Sequence, residues 1–467
     1  MGRDMLAVKG IVFDHHPTLI GPYTSLGGVF QGPFYYYLLA IPTAITGGDP
    51  WGPLALMLII SITTAVVAFY FLKKHFGFVP ALIGFFLFAV CPEAIAAATY
   101  TWNPHPMWLL IVCYIFIIFE LHLKKTKLHL VLWPLIGLMF HFEAALGFFI
   151  LIITATYCCF AFRKKVFSKY FFIGIFLLFL TFVPQILFEL RHQFLMTHSV
   201  IAMFAGKDHG LRVKGEDVST LQMLQNHIDA LYNNYLTSFP KFPYFPSLPL
   251  VGLIGTAAAW YYTRKSKKLQ NYTIYFKFYF AFLGLFLLST SLYQYPIRYW
   301  FLTGFQSFYL IATALTLSLL WKYKFGKLFI LCLSLLVLTH VSQRLYTLYL
   351  GPPDLGGTAK IKGKVDAIDS IYRDANGKEF GLLVFTPPVL TDAYDYLIWW
   401  RAKVNHRPIP PKEKLQTFYL LMEPDGANPG SHIGWMETVI KTGTIQKTVT
   451  LPSGFIIQKR NEIKSVK

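Results

Sequence analysis

Charge is scarce in this chain, and acid is scarcer still. Only 14% of its 467 residues are Asp, Glu, Lys or Arg, and 23 acids stand against 42 Lys and Arg. A soluble protein of this length does not carry so little charge beside so much Phe and Tyr. Cysteine is also rare. Cys91, Cys113, Cys158, Cys159 and Cys332 lie in or beside apolar runs, with no metal-type spacing. They read as helix-packing residues, which sets aside a disulfide framework. Phosphate-binding P-loop, zinc-protease, CxxC and nucleophile-elbow motifs are missing. There is no fixed-period repeat and no low-complexity linker. No apolar run follows the basic start, so no signal peptide is expected there.

What is abundant is apolar and aromatic: 55% and 18% of residues, respectively. Repeated runs approach the ~20 residues that cross a bilayer. They predict spans near 52–72, 78–97, 105–123, 128–141, 144–162, 170–187, 247–263, 272–290, 300–321 and 328–347. The fold class is therefore an α-helical polytopic membrane protein of about ten spans. The stretch 33–47, PFYYYLLAIPTAITG, is short, aromatic and interrupted by Pro42. It reads as an interfacial helix, where Tyr rings are favoured.

The net charge of +19 would suggest nucleic acid in a soluble domain. Here Lys and Arg gathering on cytoplasmic loops accounts for it, and no nucleic-acid partner is expected. Lys73/Lys74, Lys124/Lys125/Lys127, Arg163/Lys164/Lys165, Arg264/Lys265/Lys267/Lys268 and Lys322/Lys324/Lys327 fall at alternate span ends. All are cytoplasmic if 128–162 is two short helices turning near His141-Phe142-Glu143. The 1–51 segment, the Trp102-Asn103-Pro104 loop, the 188–246 loop, Tyr295 to Arg298 and everything after 350 are then external.

The chain changes character near 350. GLLVFT at 381–386, TFYLLM at 417–422 and GFIIQK at 454–459 read as strands. DAYDYLIWWRAK at 392–403 reads as a helix. The expected organisation is a transmembrane domain, 1–349, whose first external loop is 1–51, and a small external α/β domain, 350–467.

Ionisable residues at span ends on one side are functional candidates. Arg3, Arg191 and Arg298 have the guanidinium geometry to clamp a phosphate, and a nearby carboxylate such as Asp4 could act as general base. The competing reading of Arg191 and Arg298 is snorkelling at helix ends. For His141 and Glu143 it is capping in a tight turn. The His15-His16 pair lacks further ligands at metal spacing, and Asp14 reads as a turn cap.

These residues carry a resemblance. The run GRDMLAVKGIV…LIGPYTSLGGVFQGPFYYYLLAIP resembles the first external loop of the GT-C glycosyltransferases. Within them it is similar to the protein O-mannosyltransferase and aminoarabinose transferase-like group, glycosyltransferase family 39 and its bacterial relatives. The Trp102-Asn103-Pro104 loop, the run from Pro184 to Phe188-Glu189-Leu190-Arg191-His192, and Arg298-Tyr299 follow in the same order.

The resemblance implies a GT-C-like bundle and a hexosyl- or pentosyltransferase working on the outer face of the cytoplasmic membrane. Its donor would be a polyprenyl-phosphate-linked sugar and its acceptor a hydroxyl on a lipid, glycan or protein. Asp4 would be the base of an inverting attack, and Arg3, Arg191 and Arg298 would hold the leaving phosphate. Gln31, Asn103, His141, Glu143 and Tyr299 would be substrate-binding. No cofactor is certain, and a divalent metal is possible.

Two departures stand out. The family's base commonly lies three residues before an Arg; if Arg3 is that Arg, the matching carboxylate would precede Met1. Gln31-Gly32 stands where some relatives have Lys or His. The expectation is a reading frame begun at an internal Met, with a helix and an acidic residue before Gly2 in the natural protein. A transporter or lipid flippase, a polysaccharide polymerase or ligase on the related scaffold, and an inactive GT-C homologue are the alternatives.

Overall fold

The structure is a computed structural model, and it describes residues 2–24, 27–162, 167–205, 219–240, 248–291, 293, 295–351, 354–387 and 390–462. The basic cluster Arg163/Lys164/Lys165 and residues 206–218 and 241–246 of the expected 188–246 loop lie outside the described residues.

In chain order the first helices are α1 (Gly2–Val12), α2 (Phe34–Ile45), α3 (Trp51–Phe76), α4 (Phe78–Val90) and α5 (Pro92–Thr99). They continue as α6 (Met107–His122), α7 (His129–Phe142), α8 (Ala144–Phe162), α9 (Lys169–Thr181), α10 (Val183–Arg191) and α11 (Leu195–Phe204). Then come α12 (Thr220–Leu236), α13 (Leu248–Thr263), α14 (Gln270–Thr290), α15 (Gln306–Leu320) and α16 (Lys324–Leu350). Two further helices, α17 (Ile361–Ala375) and α18 (Asp392–Val404), accompany strands β1 (Gly381–Phe385), β2 (Thr417–Met422), β3 (Thr444–Thr450) and β4 (Ile456–Asn461).

The chain divides into two compact units. One comprises residues 1–15, 47–49 and 346–467; the other comprises 16–46 and 50–345. The 1–15 segment, expected to belong to the first loop, thus groups with the carboxy-terminal unit.

The larger unit is helical throughout. Among the described residues, four segments are long and apolar enough to cross a membrane, and six if each bent pair counts as one. The bent pairs are α4 with α5, at 56°, and α9 with α10, at 47°. Both second members have Pro at their amino end, where a missing N–H costs nothing. The helices α2, α6, α7 and α15 are apolar but shorter. Aromatic rings fill the interior: Phe282 and Phe308 stack at 4.3 Å, and Phe305 closes on Phe286 at 5.0 Å. In α2 the rings of Tyr35 and Tyr36 are buried in protein rather than turned to an interface, while Ile41 and Ile45 are exposed.

The ends of these helices differ in chemistry. Glu120, near the end of α6, is buried and takes Lys74 Nζ at 2.6 Å and Lys125 Nζ at 2.7 Å, with His75 Nε2 at 3.0 Å. Asn271 Nδ2 donates to the His75 carbonyl at 2.8 Å, joining the start of α14 to the same end. Two of the basic clusters therefore meet at one buried carboxylate, ~20 Å along α6 from its Met107 end.

In the smaller unit the strands form one sheet in the order β1-β2-β4-β3. β1 and β2 are parallel, joined through α18, while β2/β4 and β3/β4 are antiparallel. Phe385, Phe418, Leu420, Met422 and Ile440 form its apolar core. Asp374 at the end of α17 accepts from Lys447 and Lys459 Nζ, at 2.8 and 2.9 Å, and from the Tyr419 hydroxyl at 2.7 Å. These contacts tie the helix to β2, β3 and β4.

Two expectations need correcting here. Residues 2–12 are a helix rather than loop, because Asp4, Met5 and Val8 share a face that packs against α18. A fourth strand, β3, joins the three expected. Residues 47–49 are pinned in the same unit: the Tyr396 hydroxyl donates to the Gly48 carbonyl at 2.7 Å, and Lys403 Nζ to that of Gly47 at 3.0 Å.

Candidate active site

In the larger unit, the connections at the end opposite Glu120 build a buried polar cluster around one tight turn. The turn is Glu143, between α7 and α8. Its extended backbone (φ −148°, ψ 93°) breaks the helical run that Pro134 already weakens. Gln31 reaches it from the loop before α2, its Oε1 accepting from the Ala144 N–H at 2.9 Å. Asn103 reaches it from the α5–α6 loop, its Nδ2 donating to the Phe142 carbonyl at 2.7 Å. Both side chains are buried, and they satisfy the backbone groups that a helix break leaves open.

His141 completes the cluster. Its ring is wholly buried, its Nε2 donates to the Thr181 carbonyl at 2.9 Å, and it lies against Phe34 with centroids 4.4 Å apart. A Cβ on Gly32 would fall 1.7 Å from His141 Nδ1, so only glycine fits before Pro33.

Glu143 itself is buried, and burial pushes its carboxyl up to about 8, an N–H of Ala145 offsetting this in part. It is accordingly neutral at pH 7. Tyr293 lies within the electrostatic reach of both Glu143 and Arg298; burial raises its hydroxyl to about 12. The Arg298 side chain is half-buried at the head of the Tyr299–Leu302 turn.

The α14–α15 connection is held from several sides. His227 Nε2 in α12 donates to the Tyr295 carbonyl at 2.9 Å. Asn234 Nδ2 donates to that of Leu302 at 3.2 Å. Gly304, at φ +83°, lets the backbone pass so close to Met107 that a Cβ would meet its carbonyl carbon at 2.8 Å. Tyr299, largely exposed, faces Trp102 with centroids 6.2 Å apart. In that loop His105 is buried, donates Nδ1 to the Tyr100 carbonyl at 2.8 Å, and is held by burial down to about 4.

Gln31, Asn103, His141 and Glu143 are thus brought together, and Arg298 and Tyr299 belong to connections packed beside them. Arg191 is exposed at the last turn of α10, without an ion pair among the described residues. Its neighbour Phe188 meets Phe30 of the first connection at 5.6 Å. Glu189 is a cap for α11, accepting from the Met196 and Thr197 N–H groups at 2.8 and 2.9 Å.

Arg3 and Asp4 lie in the smaller unit. Asp4 is buried there, with Arg3 Nη2 at 2.8 Å from its Oδ1. Among the described residues, no group of three His, Cys, Asp or Glu could hold a metal ion. Tyr293, His227 and Gly32 carry roles that sequence reading does not assign. The Gly-Pro pair at 32–33 is the one local signal among them.

Helical spans, a small carboxy-terminal sheet and this cluster of connections are those of a multi-pass helical membrane protein. More particularly, residues 30–188 match the family of dolichyl-phosphate-mannose-protein mannosyltransferases, in agreement with the resemblance of the first connection. No curated protein matches the chain.

Among solved structures the chain is similar to ArnT from Cupriavidus metallidurans. The apo form matches at 12% identity and TM-score 0.44, over 98% of this chain and 92% of that one. The form bound to undecaprenyl phosphate matches at 12% and 0.40, over 99% and 97%. It is also similar to the Archaeoglobus fulgidus oligosaccharyltransferase in complex with Zn and sulfate, at 14% and 0.46, over 94% of this chain and 65% of that one.

Proposed function

We propose that this protein is a membrane glycosyltransferase that moves a hexosyl or pentosyl group from a polyprenyl-phosphate-linked donor to an acceptor hydroxyl. The reaction takes place on the outer face of the cytoplasmic membrane, with inversion at the anomeric carbon. The observation that carries the reading is the convergence of Gln31, Asn103, His141 and Glu143 at the end of the larger unit away from the Glu120 network, with Glu143 and Arg298 both within electrostatic reach of Tyr293. That arrangement supports an anion-accepting site: burial favours the protonated form of Glu143, and Arg298 makes no ion pair among the described residues. Arg298 and Arg191 hold the donor phosphate as it leaves, where a partly desolvated cation contributes most. Asp4 stands as the acceptor base on the sequence alone, with Arg3 beside it.

The test is transfer from a polyprenyl-phosphate sugar by membranes carrying single variants. Arg298→Ala and Arg191→Ala each lower donor use at least tenfold, and Cys158→Ala, buried in α8 away from the cluster, leaves it unchanged. Wild-type transfer by both Arg variants would refute the phosphate clamp.

The bent pairs favour a second reading, a transporter or lipid flippase, since broken helices line transport sites. Proteoliposomes separate the two: a transporter moves labelled lipid-linked sugar across the bilayer without acceptor, and a transferase does not. An inactive homologue would do neither.

A further inference from the structure

A cleft in the smaller unit has no part in the reading above. It opens where α17 and α18 pack, has a volume of about 280 Å³, and is lined by Asp366, Asp369, Arg373, Arg401, Asn405 and Arg407. That is just under the roughly 300 Å³ at which small-ligand pockets begin, so it has room for no more than a single sugar-sized molecule.

Its charges divide unequally. Asp369 is engaged by Arg401, whose Nε and Nη2 donate to its two oxygens at 2.9 and 2.7 Å. Asp366 is engaged by Lys362 Nζ at 2.7 Å, one helical turn back. The acids are therefore neutralised where they stand, and the bidentate pair also sets the spacing of the two helices that wall the cleft. Arg373 and Arg407 are left over. Among the described residues neither makes an ion pair. Arg407 lies over the Tyr372 ring, Cζ 5.2 Å from its centroid. That contact orients the guanidinium plane while leaving its N–H donors open.

Two open guanidinium forks on a cleft of this size have the chemistry of phosphate recognition, each able to make paired N–H···O contacts. Their combined charge matches the ~−1.5 to −2 of a phosphate monoester at neutral pH. We infer that this cleft binds a phosphate monoester carried on a sugar-sized body, soluble or as a lipid headgroup, with Arg373 and Arg407 as its direct contacts.

The experiment is isothermal titration of a hexose 6-phosphate into the full-length protein, held in phosphatidylcholine nanodiscs. Saturable binding is expected. Arg373→Gln and Arg407→Gln should each weaken it about tenfold, as loss of a charge-assisted pair of hydrogen bonds warrants. The double variant should abolish it, and Lys378→Gln, exposed in the same unit but outside the cleft, should leave it intact. Arg→Lys at either position keeps the charge and loses the fork, so intermediate binding supports direct contact. Repeating the titration in discs containing phosphatidic acid separates the sources. Loss of soluble binding there assigns the site to a lipid headgroup, and its persistence to a soluble phosphate. Absence of saturable binding by both probes, or equal binding by wild type and double variant, would overturn the inference. Sugar transfer is not part of the readout, so the result is independent of the transferase reading.

Discussion

Replacing Gly32 by alanine tests the polar cluster at its tightest point. The new methyl would lie 1.7 Å from His141 Nδ1 and 2.4 Å from Cγ, well inside van der Waals contact. The ring cannot retreat freely, because it is wholly buried and backed by Phe182, with centroids 6.2 Å apart. Moving it breaks the hydrogen bond to the Thr181 carbonyl, about 1 kcal/mol, and overpacks the site, about 1–3 kcal/mol. The Gly32→Ala variant should lose about 2–4 kcal/mol. His141→Ala alone should lose a similar amount through its cavity and the orphaned carbonyl. In the double variant the methyl added at Gly32 enters the space the ring has left. It should therefore be no less stable than His141→Ala, a coupling of about −2 kcal/mol or larger. Equilibrium unfolding of the four proteins in mixed micelles measures this. Additivity within about 0.5 kcal/mol would mean that Gly32 and His141 are not in contact, and the cluster would be wrongly drawn.

Two further predictions rest on charge. Glu143 holds a proton up to about pH 8 in the folded protein and only to its ordinary 4.5 when unfolded. Folding stability should therefore fall as pH rises between those values, by at most ~1.4 kcal/mol per unit. Glu143→Gln should flatten that slope in thermal unfolding from pH 5 to 9; an unchanged slope would assign it to another group. Asp374 runs the opposite way, since hydrogen bonds from Lys447, Lys459 and Tyr419 hold its carboxyl well below the usual range. Its contribution is present above pH ~4 and lost as pH falls through the lowered value. With the side chain partly solvated, Asp374→Asn should cost about 1–2 kcal/mol. Faster hydrogen exchange in α17 and β4 of the full chain would report it, and unchanged exchange would count against the clamp.

Where the sequence was legible, local pattern and final environment agreed. TFYLLM became β2 residue for residue, because five of its six side chains are buried in the sheet. β3, TIQKTVT, was not legible: it is a solvent-facing edge strand, with polar residues that announce no core. α1 was missed for another reason. Its buried face becomes meaningful only when α18, nearly four hundred residues later, packs on it. In the candidate site, position at the span ends singled out His141 and Glu143, and the family resemblance singled out Gln31 and Asn103. Their partners were hidden, because Gln31 and Asn103 act on the backbone at Ala144 and Phe142, which no side-chain pattern encodes. Tyr293 and His227 were invisible, since a Tyr in a connection and a His on an amphipathic helix are indistinguishable from surface residues in sequence.

The two buried carboxylates of the larger unit show how one residue type produces opposite fields. Glu120 is buried among Lys74, Lys125 and His75, and its charge is consumed in joining helix ends rich in lysine. Glu143 has no cation in contact among the described residues, and its environment keeps the proton instead of recruiting a counter-charge. Beyond the effect of burial, Tyr293 feels both groups, since Glu143 raises its hydroxyl pKa and Arg298 lowers it. A protonated Glu143 adds no negative charge to the proposed site. Gln31 and Asn103 satisfy the helix break beside it, and Arg298 is the cation that a phosphate would meet on the proposed reading.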